Sequence, residues 1–175
     1  MSQTNIKEEF SQLGNMAETL EATGNYDVDS LISGLKQMIR GNIFFYGTLA
    51  KKYPEKDPSR VFYDLKVNPH EHQLVYVQLG CGYAKETRAP HWCYVLKNAG
   101  QKMTVIPVTS VKEYSGPARA PFELDIEEGD GVIGRLHFDD IRSIDKMRVN
   151  ETKGYKEINT PKEEILAAYR AYMGI

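Results

Sequence analysis

The hydrophobic pattern of this 175-residue chain changes kind near Pro69, and that change restricts the folds open to it. Before it, apolar residues recur at helical steps. Ile6, Phe10, Leu13, Met16 and Leu20 follow one another at intervals of three or four, the repeat that gathers side chains on one helix face. After EATGNYD the period resumes at Val28, Leu31, Ile32, Leu35, Met38, Ile39, Ile43, Tyr46 and Leu49, until the two prolines of KKYPEKDP stop it. Asp27 or Asp29 is expected to cap this second helix, with Gly41 a tolerated weakness inside it. Residues 1–68 are therefore read as an antiparallel helical hairpin whose apolar stripes are packing surface.

Beyond Pro69 the pattern is of strands. QLVYVQLG, HWCYVLKN and KMTVIPVTS are short runs rich in Val, Ile and Tyr, separated by glycine or polar turns, and KNAGQK is a plausible hairpin loop between two of them. PFELDI and GVIGRLHF, joined by the acidic turn EEGDG, and then RSIDKMRV add further strands. So many short neighbouring strands imply a small, strongly curved antiparallel sheet over residues 69–175. Thr160, Pro161 and Glu163 read as N-cap, first-turn proline and N3 glutamate of a closing helix, EEILAAYRAYM, expected to pack across the barrel. The fold class is α+β.

Composition narrows the function. No window of about 18 apolar residues occurs, and MSQTNIKEEF lacks the basic-then-apolar order of a secretory signal, so a soluble cytoplasmic protein with no membrane partner is expected. Cys81 and Cys93 are too far apart for a CxxC pair, and histidines at 70, 72, 91 and 137 have no metal-binding spacing; reduced thiols, no metal and no cofactor are the expectation. A net charge of −2 argues against holding nucleic acid by bulk charge, although it leaves room for a local basic groove.

Several segments, in order, resemble the MazF/PemK (Kid) family of toxin endoribonucleases: VYVQLG (75–80), CGYAKETRAP (81–90), HWCYVLKN (91–98), TVIPVTS (104–110) and IRSIDKMRV (141–149). The resemblance spans about residues 73–173. Ala89 stands between Arg88 and Pro90 where the family has a direct Arg-Pro pair, and the loop lacks the family's Ser-Glu-Gln. What the resemblance implies is a small β-barrel of the CcdB/MazF type that cleaves single-stranded RNA without a metal, by attack of the ribose 2′-hydroxyl on the adjacent phosphate. It also implies a homodimer and an antitoxin that occupies the RNA groove. The hairpin would then extend the dimer contact or occlude the groove. CcdB-like proteins keep a second reading open, a non-catalytic module that inhibits growth by binding a protein target.

Such a reaction needs a base, a proton donor for the leaving 5′-oxygen, and fixed donors for the transition-state charge. By residue matching, Arg88 and Thr109 are the catalytic pair: a guanidinium fork can hold two phosphate oxygens, and the hydroxyl can bond a third. Weaker candidates for RNA binding or proton transfer are Glu86, His91, Ser110, His137 and Asp139. His137 and Asp139 fall where PemK-like members place an active-site arginine and aspartate. Without the resemblance, Arg88 reads as a surface ion-pairing residue, Thr109 and Ser110 as strand-end turn formers, and Trp92 with Tyr94 as packing.

Overall fold

In the computed structural model, which describes residues 5–175, the chain runs as two helices, six strands, a short seventh and a closing helix. Helices α1 (Ile6–Glu21) and α2 (Val28–Phe44) form where the helical period lies. Of the two expected caps it is Asp27 that acts, accepting from the Ser30 amide at 2.9 Å and the Ser30 hydroxyl at 2.6 Å. The helical path continues past α2 as a π-helical turn, Phe45–Leu49, and a 3₁₀ turn, Ala50–Lys52. Residues 1–4, the start of the expected hairpin, lie outside the described residues.

The strands are β1 (Leu74–Gln78), β2 (Pro90–Asn98), β3 (Lys102–Ser110), β4 (Glu123–Glu127), β5 (Ile133–His137), β6 (Arg142–Asp145) and β7 (Tyr155–Lys156). All pairings are antiparallel, in the order β4-β5-β3-β2-β1-β7, with β6 added to the other half of β3's edge. Strand β3 pairs with β6 over Lys102–Val105 and with β5 over Val108–Ser110. Pro107, which has no N–H to give, sits where the partner changes. The expected barrel is not closed by this pairing: the sheet is open. Its ends meet at a single bridge, Glu128 with Ile158, reinforced by Gly129 N–H donating to Glu157 O at 2.8 Å.

Both faces of the middle strands are buried, which is why VYVQL and TVIPV are almost continuously apolar. Val75, Val77, Cys93, Val95, Met103 and Val105 face one core, into which Leu65 and Ile144 also pack. Leu74, Tyr94, Ile106, Val108, Ile126 and Leu136 face a second core. Helix α3 (Lys162–Met173) covers the second core with fully buried Ile165 and with Ala168, Tyr169 and Tyr172. Trp92 also packs against this second core, its ring centre 5.3 Å from that of Tyr76, so Trp92 and Tyr94 are packing residues.

Two local expectations are corrected. Thr160 does not cap α3, because its hydroxyl accepts from the Glu127 amide at 2.7 Å; Pro161 takes the cap position with no side-chain bond. The RSIDKMRV run is a strand only to Asp145, whose carboxylate accepts from the Met147 amide at 2.8 Å and turns the chain into a 3₁₀ segment.

Candidate active site

At the β4–β5 end of the sheet, the face that is apolar elsewhere becomes polar. Alternation dictates it: Leu124 and Ile126 of β4, with Gly134 and Leu136 of β5, take one side, leaving Glu123, Asp125, Arg135 and His137 on the other. Thr109 is opposite Arg135, and His137 is opposite Glu123. His91 lies one step beyond the Trp92–Val108 pair, beside Thr109. Four neighbouring strands thus deliver His91, Thr109, His137 and Glu123 to one surface.

The contacts between them are short. Thr109 Oγ1 and His137 Nε2 are 2.8 Å apart, and the other ring nitrogen, Nδ1, is 3.6 Å from Glu123 Oε1. Glu123 is buried and held by Arg119, whose Nε and Nη2 donate at 2.9 and 2.5 Å and whose amide donates at 3.0 Å. Those bonds from Arg119 hold the Glu123 carboxyl below its usual pKa, despite burial. His137 is lowered as well, first by burial, with Glu123, Asp139 and Asp140 pulling the other way. A neutral imidazole protonated on Nδ1, toward Glu123, leaves Nε2 to accept the Thr109 hydroxyl. Next to this chain Arg135 clamps Asp125 through two bonds, 2.6 and 2.9 Å, a pair that sets the β4–β5 wall.

The opposite wall is the loop from Gly82 to Ala89. Asp140 ties it down, accepting from the Thr87 amide at 2.5 Å while also paired with Arg142. Glu86 Oε2 accepts from the Tyr83 amide at 3.1 Å and so braces the loop internally. Ala89, the extra residue before the proline, takes a left-handed conformation, φ 63°. Its amide donates to Gly80 O at 2.9 Å and its carbonyl accepts from Leu79 N at 3.3 Å, so the insertion is absorbed at the start of β2 and Pro90 still pairs with Gln78. Arg88 is thereby kept facing the cleft, its Cζ 4.3 Å from the centre of the Tyr26 ring.

The result is an open cleft of about 830 Å³ that brings together Glu86, Arg88, His91, Thr109, His137 and Asp139. Two of its lining residues each bury a nitrogen with no hydrogen-bond partner, Arg88 Nη1 and His91 Nδ1. Ser110 is not part of it: one position along β3 from Thr109, it is exposed on the opposite face and pairs with Gly134. Among the described residues, no group of three or more His, Cys, Asp or Glu is placed to hold a metal ion, and no helix is long and apolar enough to cross a membrane. Cys81 and Cys93 are free thiols.

No protein-family model matches the sequence, and no curated protein does. The chain is similar to a solved structure of an endoribonuclease in complex with its cognate antitoxin from mycobacterial species. The two are 15% identical, the match covers 62% of this chain and 97% of that one, and the TM-score is 0.46. A likeness of that size decides neither fold nor chemistry, so the residues of the cleft have to carry the functional reading.

Sequence reasoning missed Arg119, Glu123, Tyr26 and Ser30, all at or beside the cleft, and gave Asp27 only as a helix cap. The alternation in ELDIE and IGRLH carried a usable signal for Glu123 and His137 on one face. Nothing local announces Tyr26, which reaches Arg88 only through the docking of α2. IRSID, taken as a family motif, has a structural role: Ile144 is in the first core, Arg142 holds Asp140, and Asp145 makes the turn.

Proposed function

We propose that this chain is a metal-independent endoribonuclease of the MazF/PemK type, a toxin that cleaves single-stranded RNA and is held in check by an antitoxin. The observation that carries the reading is the 2.8 Å contact of Thr109 with His137 on one wall of a cleft whose other wall carries Arg88 with Nη1 unpartnered. A buried donor with no acceptor is rare in folded proteins, and an anion is what supplies the missing acceptor. The order of motifs from VYVQLG to IRSID supports the same assignment.

In this mechanism Arg88 grips the non-bridging oxygens of the scissile phosphate with the paired donors of its guanidinium fork. Thr109 Oγ1 takes the proton of the attacking 2′-hydroxyl as it passes its own to His137 Nε2, and Glu123 favours the imidazolium so formed. The 2′-oxygen bonds to phosphorus and the bond to the 5′-oxygen breaks. The leaving oxygen is protonated by water in the open cleft, and the hydroxide so formed takes up the proton held by His137, which restores the neutral imidazole. The products are a 2′,3′-cyclic phosphate and a free 5′-hydroxyl. A homodimer, with RNA in a groove lined by both copies, completes the proposal, together with a cytoplasmic location.

Induced expression of wild type and Arg88→Ala, followed by mapping of RNA ends, tests it. Wild type should accumulate fragments with 2′,3′-cyclic phosphate termini, and both Arg88→Ala and Thr109→Ala should lower cleavage by about a hundredfold or more with unchanged circular dichroism. Growth arrest with intact RNA would replace the nuclease by a non-catalytic binding module.

A further inference from the structure

A phosphate-binding arginine waiting for substrate is ordinarily solvated, yet Arg88 is capped. Its guanidinium carbon lies 4.3 Å from the centre of the Tyr26 ring, and Nη1 is buried with nothing to bond. Tyr26 immediately precedes the N-cap of α2, so the covering ring belongs to the helical hairpin rather than to the sheet. Asp27 and Ser30, from the same helix end, line the cleft beside it. The hairpin therefore supplies a wall of the site, with the Tyr26 ring against the Arg88 guanidinium.

The same helix is lightly held. Gly34 is the single buried residue of α2, and beside its few contacts with the rest of the fold, at Gly34 with Cys81 and at Gly41 with Met147, an open groove of about 740 Å³ runs along the helix, lined also by Met38 and Leu79. Elements that belong to a core leave few voids. At its far end α2 passes into the π-helical turn Phe45–Leu49, a weaker hydrogen-bonding pattern than the α-helix it follows. A helix anchored loosely along its length and irregular at one end can pivot there.

We propose that the hairpin is a lid on the phosphate site: closed, Tyr26 lies against Arg88, and RNA binds when the N-terminal end of α2 swings off about residues 45–49. The idea rests on Arg88 being the phosphate ligand. Opening removes the stacking contact but frees Nη1 to bond a phosphate oxygen, so the ligand interacts differently with the two states, as any population shift requires. Apparent affinity is reduced by the fraction of molecules that are open.

A reversible lock tests this. A Cβ at position 34 would lie 3.1 Å from Cys81 Sγ, so Gly34→Cys places two thiols within disulfide reach across the α2–sheet contact, while Cys93 is buried elsewhere. Oxidised G34C should cleave a long single-stranded RNA about tenfold or more slowly than the same protein after reduction, the factor expected for a minor open state, with wild type indifferent to reductant. Tyr26→Ala, which needs no bond, should lower KM for that RNA several-fold. Equal rates for oxidised and reduced G34C, a KM that is unchanged or raised in Tyr26→Ala, or failure of the bond to form by intact mass would each overturn the lid. Binding of a fluorescent single-stranded DNA, which has no 2′-hydroxyl and is not cleaved, separates the two readings. If no RNA is cut but the lock still weakens DNA binding, the nuclease assignment fails and the lid stands.

Discussion

His137 is pulled toward neutrality by burial and toward charge by the carboxylates around it, Glu123, Asp139 and Asp140, with Arg119 opposing them; burial is the largest influence. Its pKa in the fold is therefore lowered, and the neutral form that accepts from Thr109 persists as pH falls through the ordinary histidine value of about 6.5. The acid limb of the pH profile of kcat/KM is expected below that value. Glu123→Gln removes a charge that favours the imidazolium, so the His137 titration, followed by NMR, should move to still lower pH and the acid limb with it. The linkage has the same sign in stability: below about pH 6.5 the unfolded chain binds a proton that the folded one does not, so His137 lowers stability there. Ala89 gives a second test at this scale. Its left-handed backbone costs an L-residue roughly 1–2 kcal/mol, which glycine avoids at the expense of greater freedom when unfolded. Ala89→Gly should raise stability by up to about 1 kcal/mol in urea unfolding while keeping the cleft.

At the scale of elements the cleft depends on β5 lying tight against β3. A Cβ at Gly134 would come within 2.6 Å of Val108 Cγ1 and 3.1 Å of Glu128 Oε1, so this strand position has no room for a side chain. Gly134→Ala should cost about 1–3 kcal/mol and loosen the Thr109–His137 contact, seen together as a lower unfolding midpoint and weaker cleavage. The strands themselves were legible because their β-branched runs are bounded by turns: VYVQL, HWCYVLKN and KMTVIPVTS fall where β1, β2 and β3 form. The helices were legible for the complementary reason, one apolar stripe each. What the sequence hid are partnerships formed at a distance. Thr160 looks like a cap until β4 claims its hydroxyl, and Glu123 looks like an ordinary strand carboxylate until β5 sets His137 opposite it. Arg88 and Thr109 were reachable through motif order, whereas Tyr26 was not, because its position follows from how one helix docks.

Across the whole molecule, apolar character and burial part company at the N-terminal end. Leu65, within the segment first read as part of the helical extension, is 5% exposed in the first core, whereas α1 buries no residue and leaves Phe10 and Leu13 at 57% and 51% exposure. Two substitutions of similar chemistry should therefore differ sharply. Leu65→Ala removes methyl groups from a packed interior and is expected to lower stability by about 2–5 kcal/mol. The double change Phe10→Ser with Leu13→Ser removes more apolar area, yet should change the unfolding free energy of the sheet by less than about 0.5 kcal/mol for each site, since neither side chain leaves a core. Denaturant unfolding of the two variants beside wild type, followed by Trp92 fluorescence, reads the packing that this single tryptophan shares with Tyr76 on β1. A large loss in the α1 variant would mean that α1 is buried against the sheet in solution, and a small loss in Leu65→Ala would mean that the first core does not extend to residue 65.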